Sequence, residues 1–291
     1  MLEFARWITE RDYRAALMAA GLALLPLLAP LSCAVLALVA LQRGAAAGWR
    51  AGAMALAMLA VVGWIAAAHP AAAVLSALTV WAPTLAVTQL LVSSGSLSAA
   101  ARVATAGAVV LAGSWALMAP VEGDPWLGIV VEMVTPLAAQ TGTDPVALAE
   151  QLLVLMPGII AASLLLVSLS GLFLAMWLHA GMAHPGAFGE AFRALQLGSG
   201  VGLVAAAVII GALMAVHPAA LAAALPLGAA LLIQGIAVMH GMVRIRAMHR
   251  AWLFAGWVTL VLLSPWSMIG FAFYGLIDTL TDLRRRAAGK A

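Results

Sequence analysis

The chain has 291 residues, 65% of them hydrophobic and 9% charged, with a formal net charge of +3. A soluble domain carries about 25% charged residues, and so few polar side chains cannot cover so much apolar surface in water. An ordinary soluble enzyme is excluded. The composition points to an all-α, polytopic transmembrane helix bundle. The one cysteine, Cys33, excludes an intrachain disulfide and a cysteine-built metal site, and its apolar setting makes it a small buried hydrophobe.

Residues 1–13 place Phe4, Trp7 and Ile8 at i, i+3 and i+4, with Glu3, Arg6 and Glu10 on the other side. This pattern predicts a short interfacial helix, with Trp7 and Tyr13 at headgroup level and Arg11 snorkelling. The apolar run Ala15–Leu41 is 27 residues long, against about 7–15 for the core of a signal peptide, so it is expected to stay in the mature chain. The run 15–42 contains Pro26 and Pro30. Beyond it, Gly44, Gly48 and Gly52 form a tandem small-x-x-x-small pattern, which fits either a close helix contact or a turn that needs glycine.

Six apolar segments are long enough to cross a core of about 30 Å as single helices: 50–68, 71–93, 99–119, 158–178, 198–216 and 219–243. The turns Ala68-His69-Pro70 and Val216-His217-Pro218 make antiparallel neighbours of the first pair and the last. An offset of 148 aligns Gly52, Gly63 and His69-Pro70-Ala71-Ala72 with Gly200, Gly211 and His217-Pro218-Ala219-Ala220. In so alanine-rich a chain this is read as coincidence. Within 71–93, Thr79, Trp81, Thr84, Thr88 and Gln89 form the richest polar stripe in the membrane, and Pro83 frees the carbonyl of Thr79. They are candidate substrate-binding residues, or else the satisfied threonines of a proline kink.

Residues 120–157 hold Glu122, Asp124, Glu132, Asp144 and Glu150 and no Lys or Arg. Leu127, Val130, Val131 and Val134 make a helical apolar stripe. Thr143-Asp144-Pro145 is a helix start, and Pro157-Gly158 is expected to end that helix. The segment fits an interfacial loop packed on the bundle, or a lid. Gln234, mid-way along 219–243, is a further candidate binding residue. It would contact a substrate, or bond another helix's backbone or a threonine. The last apolar run, 252–283, contains Ser264-Pro265.

Charge decides how the two proline-containing runs sit. If each goes in and doubles back as two short helices, Arg6, Arg11, Arg14, Arg43, Arg50, Arg102, Arg193, Arg244, Arg246, Arg250, Arg284, Arg285, Arg286 and Lys290 share one face; if each crosses once, they divide seven and seven. The positive-inside bias selects the hairpins, with both termini cytoplasmic. Their weakness is length, because arms of about 13 residues reach only about 20 Å.

Certain stretches carry a resemblance: residues 24–52, Pro157-Gly158 leading to Trp177, Phe192-Arg193 with Leu195, Gln234–Val238 with His240, and Gly275–Asp278 followed by Asp282–Arg285. Together they resemble the YybS-like family of bacterial membrane proteins. That family is similar, more distantly, to the S components of energy-coupling-factor vitamin transporters and to the rod-shape protein MreD. The resemblance implies one integral membrane domain, residues 1–291. It comprises a six-helix S-component-like unit (15–178) and additional helices (198–283), and the charge-derived topology puts residues 120–157 on the periplasmic side. It also implies that Ala15/Ala19 and Ala16/Ala20 form a face that docks to a partner membrane subunit.

The six histidines make no metal pattern, Gly198–Gly202 is no dinucleotide loop, and no nucleotide or nucleophile motif is present, so no cofactor, no nucleic acid partner and no enzymatic activity are expected. Asp278 and Asp282 are expected to pair with Arg285 and Arg286. No Asp, Glu or Lys lies in the central part of the six spans, and no buried ionisable pair is foreseen. The expected function is therefore a small-molecule binding or transport subunit of the bacterial inner membrane, energised by a partner and taking a small uncharged ligand. The alternative is a scaffold of the MreD type with no substrate.

Overall fold

The computed structural model describes residues 2–66, 69–118, 126–215 and 217–289, which hold helices and no strand. Ala68, Glu122, Asp124, Val216 and Lys290 lie outside the described residues. The helices of the first half are α1 (Leu2–Thr9), α2 (Asp12–Ala23), α3 (Ala29–Arg43), α4 (Ala45–Ile65), α5 (Pro70–Ser94), α6 (Leu97–Met118) and α7 (Leu127–Thr141). Those of the second are α8 (Pro145–Ala183), α9 (Ala187–Arg193), α10 (Ser199–Ala215), α11 (Pro218–Ile245), α12 (Ala251–Leu262), α13 (Trp266–Thr281) and α14 (Leu283–Ala288).

Among the described residues six helices are long and apolar enough to cross a membrane: Pro26–Arg43, which adds a 3₁₀ turn to α3, and α4, α5, α6, α8 and α11. The chain is an all-α, multi-pass membrane protein. Five of these coincide with expected spans. The difference lies at α10, whose 17 residues, bounded by Gly198 and His217-Pro218, fall short of the others. The arm containing α3 takes its place.

The helices pack as two compact units, Met1–Ala104 with Leu164–Leu197 and Ala237–His249, and Thr105–Ser163 with Gly198–Ile236 and Arg250–Ala291. In the first unit the opening apolar run doubles back, as the charge argument requires. Pro26 and Pro30 interrupt the helical bonding, and α3 returns along α2. Ser32 Oγ on α3 donates to the Ala19 carbonyl (2.8 Å), while Arg43 at the end of α3 pairs with Asp12 at the start of α2. The arms are unequal. α2 has 12 residues and the returning arm 18, so only the first is as short as the sequence suggested.

Ala15, Ala16, Ala19 and Ala20 are all buried within this unit, among residues of α3, α4 and α5. Their single methyl groups let backbones close in, and that use occupies the face. The expected docking surface is thus corrected: these alanines hold α2 in its own bundle and are not free for a partner subunit. Both readings of the glycine pattern hold, at different positions. Gly44 has φ +89° at the turn between α3 and α4, which is strained for any residue with a Cβ. A Cβ on Gly48 would lie 2.7 Å from that of Ala40, and one on Gly52 3.2 Å from Leu85.

Several contacts gather the unit's arginines at one end. Asp12 binds both Arg43 and Arg50 (3.3 Å to Arg50). Gln42 reaches Met182 near the end of α8 (3.3 Å), and the Gln196 amide donates to Ser98 Oγ (3.0 Å) near Arg102 and Arg193. His240 meets Phe192 edge to face at 5.7 Å, four residues before Arg244.

In the second unit, α7 and the start of α8 pair through Val130, Val134, Ala149 and Leu153, realising the predicted apolar stripe. Asp144 accepts from the Val146 amide (3.0 Å) and starts α8 where the sequence placed a helix start. Pro157-Gly158, however, does not end that helix. α8 runs 39 residues straight through, about 58 Å. Proline forfeits one backbone bond, which a packed membrane helix tolerates, and Gly158 serves a close approach instead: a Cβ there would lie 2.4 Å from the Ala222 carbonyl oxygen.

The closing apolar run also divides, at Ser264-Pro265. Ser267 Oγ donates across the turn to the Leu260 carbonyl (3.0 Å), and α13 finishes with Thr279 and Leu280 against Gly202 at the start of α10. α12 has no buried residue; Trp252, Phe254, Trp257 and Val261 are exposed, as suits contact with lipid. The offset repeat has no counterpart in packing. A Cβ on Gly63 would strike Pro70, whereas the matching Gly211 faces open space.

Candidate functional site

The α5 stripe divides by direction. Trp81, Thr84 and Thr88 are buried, whereas Thr79 and Gln89 are exposed. The threonine hydroxyls turn back onto their own helix: Thr79 to Leu75 O (2.7 Å), Thr84 to Val80 O (2.8 Å) and Thr88 to Thr84 O (2.7 Å). This is how hydroxyls are satisfied beside a proline in a membrane helix. Trp81 Nε1 donates to Ser32 Oγ (2.8 Å), which itself donates to Ala19 O, so a chain of two bonds ties α5 through α3 to α2. Gln89 accepts from Trp49 Nε1 on α4 (3.0 Å). Gln234 belongs to the other unit and has its own partners.

This arrangement makes Trp81 a tie between helices. Trp81→Phe keeps the ring but removes the donor and should lower stability by about 1 kcal/mol, while Thr79→Ala should leave it unchanged. Thermal unfolding of the purified protein in lipid nanodiscs measures both. Equal stability of Trp81→Phe and wild type would remove the tie.

A second polar cluster lies in the other unit, on α11, α13 and α14. Asp278 is 0% exposed, as is Gln234, and Arg284 is 8% exposed. Gln234 Nε2 donates to Asp278 Oδ2 (2.7 Å), and Arg284 Nη2 donates to the same oxygen (2.8 Å). The Arg284 amide and Nε both reach Asp278 Oδ1 at 3.4 Å. Asp278 therefore pairs with Arg284 and not with Arg285 or Arg286, and the expectation of no buried ionisable pair is overturned. Gln234 likewise donates to a carboxylate, a partner that the sequence did not suggest.

Local chemistry explains the pairing. Asp282 adopts φ +51° and ends α13; an aspartate tolerates this left-handed conformation better than most residues. Its carboxylate then accepts from the Arg285 amide (3.3 Å) to start α14. The reversal points Arg284 back at Asp278, six residues earlier, a separation that no continuous helix brings face to face. Two glycines make room for the cluster. A Cβ on Gly235 would sit 1.9 Å from the Phe271 carbonyl oxygen, and one on Gly275 would sit 2.1 Å from that of Leu231. Thr279 returns its hydroxyl to Gly275 O (2.8 Å).

Among the described residues no three His, Cys, Asp or Glu side chains gather as a metal site would need. Phe173, Phe188 and Phe192 pack ring on ring at 5.4–6.1 Å in the first unit, a half-buried aromatic cluster filled by its own members. The best candidate for chemistry is thus a buried carboxylate, a guanidinium and an amide converging on one point. No family model matches the chain, and no curated protein or solved structure does either.

Proposed function

We propose that the chain is a small-molecule binding or transport protein of the bacterial cytoplasmic membrane, with Gln234, Asp278 and Arg284 as its working polar site. One observation carries this reading: a fully buried carboxylate on a helix of a membrane protein. Asp278 lies three residues from the end of α13, and a buried carboxylate is costly unless it is paired and hydrogen-bonded. Helices can be joined at far lower cost by threonine or amide groups. Ionisable groups kept at such a cost line substrate or ion paths. The cluster also removes one of the two grounds for expecting a partner to supply the energy, the lack of a buried ionisable pair; the other, the lack of a nucleotide-binding motif, stands.

The scaffold reading, which would act through alanine- and glycine-rich lateral faces, loses the alanines of α2, which are buried within the first unit. The orientation proposed with this function, both termini cytoplasmic, is supported by the arginines gathered at one end of that unit. The YybS-like resemblance is compatible with either reading and decides neither.

The test is mass spectrometry of the gently purified, nanodisc-held chain, for both small molecules and copurifying proteins. Wild type should retain a small molecule. Gln234→Met, which keeps the Asp278–Arg284 pair, and the double variant Asp278→Asn/Arg284→Gln, which keeps hydrogen bonding without charge, should both stay monodisperse and lose it. Retention of the molecule by both variants would overturn the site. A wild-type preparation holding no small molecule but a stoichiometric partner protein would establish the scaffold reading in its place.

A further inference from the structure

α1 lies across the arginine-bearing end of the first unit and is divided lengthwise. Ala5, Ile8 and Thr9 are buried against the bundle, and Leu2 packs over Gly181 of α8. The sequence had put Ile8 in one stripe with Phe4 and Trp7, but the structure separates them. Phe4 and Trp7 face outward, 53% and 44% exposed, and stack on each other with ring centroids 5.9 Å apart and planes 13° from parallel. The Arg14 guanidinium sits over the Trp7 ring at 4.7 Å and beside that of Tyr13 at 5.9 Å, and Tyr13 too is exposed.

Charge around these rings is unbalanced. Residues 2–14 with Arg43 and Arg50 contain five arginines and three carboxylates. Two of the carboxylates are engaged, Glu10 by Arg14 and Asp12 by Arg43 and Arg50. Arg6, Arg11 and Glu3 are exposed, and none of them has a described side-chain partner. The result is a pair of stacked aromatic rings presented outward at the mouth of membrane helices, bordered by two unpaired guanidinium groups and a third lying on a ring face.

We propose that α1, with Tyr13 and Arg14, is a docking site for anionic phospholipid headgroups. Phe4 and Trp7 enter the boundary between headgroups and acyl chains, and Arg6 and Arg11 receive the phosphates. Several physical arguments select this occupant. Tryptophan and tyrosine favour that depth, and a helix with one aromatic face and a charged border binds in the plane of the interface. Guanidinium is the side chain best matched to phosphate oxygens. A protein partner needs upwards of about 1,000 Å² of buried surface, more than the outward face of an eight-residue helix can present.

The proposal is tested on the full chain in two measurements. In native mass spectrometry with equimolar phosphatidylglycerol and phosphatidylcholine, wild type should retain phosphatidylglycerol preferentially. Arg6→Gln/Arg11→Gln, at two exposed positions, should reduce that preference by about fivefold for each charge removed. In proteoliposomes of the same two lipids, a nitroxide on Phe4→Cys should be relaxed by oxygen and shielded from a water-soluble nickel chelate. A label open to the chelate would overturn the insertion. An unchanged lipid preference in the double arginine variant, or equal shielding in vesicles of phosphatidylcholine alone, would overturn the headgroup site.

Discussion

Asp278→Asn should destabilise the protein by about 3–5 kcal/mol, because it leaves the buried Arg284 guanidinium without a counter-charge. Arg284→Met should cost a similar amount for the converse reason, as Asp278 would lose its counter-charge and keep only amide donors, from Gln234 and from the backbone of residue 284. Replacing both charges together, with Asp278→Leu/Arg284→Met, should recover most of that loss, since a well-packed apolar pair of similar volume is often as stable as a buried ion pair. Unfolding followed in nanodiscs for wild type, both single variants and the double variant closes a mutant cycle. The single costs sum to about 6–10 kcal/mol, so the expected coupling exceeds about 3 kcal/mol, above the usual range for contacting residues. Additive single costs would mean that the two groups do not meet. The cycle also separates stability from function: a double variant that folds like wild type but no longer retains a ligand shows that the pair is kept for something other than holding helices together.

What the sequence disclosed and what it hid follow from the range of the forces involved. The doubling back of residues 15–42 was legible because membrane orientation is decided by the summed positions of many arginines, and no single contact has to be known. The Asp144 helix start was legible because capping is local. The Asp278–Arg284 pair was not, because it depends on a left-handed Asp282 that takes the chain out of helix for one residue. Arithmetic on a continuous helix points to Arg285 and Arg286 instead. A signal was nevertheless present, in two strongly polar residues set among apolar neighbours, each near a glycine: Gln234 before Gly235, and Asp278 three residues after Gly275.

The α5 stripe shows a related limit of reading polarity from sequence. Polar spacing says which residues share a face, but a threonine can be satisfied by its own helix, as Thr84 and Thr88 are. Polarity inside a membrane helix therefore does not by itself call for a ligand. A carboxylate differs, because no i−4 carbonyl can donate to it and its partners must come from elsewhere. The alanines of α2 were misassigned for want of a third dimension, since spacing identifies a face built for close approach and leaves open which helix approaches it.

The second large effect is expected at the α11–α13 crossing. Gly235→Ala should cost more than about 3 kcal/mol, at or beyond the upper range for overpacking, and Gly275→Ala should cost as much. The atoms a new methyl would meet are the backbone carbonyl oxygens of Phe271 and Leu231, at 1.9 and 2.1 Å, and unlike a side chain these cannot rotate away. The helices would have to part, and in parting they would draw the Gln234 amide from the Asp278 carboxylate. Gly107→Ala and Gly211→Ala, at helix positions with nothing within 4 Å, serve as controls. They should be neutral or stabilising by up to about 1 kcal/mol, since alanine loses less backbone entropy in a helix. Thermal unfolding of the four variants in one lipid composition decides the matter. If Gly235→Ala melts with the controls, the two backbones do not touch, and the close crossing that seats the buried pair is lost with them.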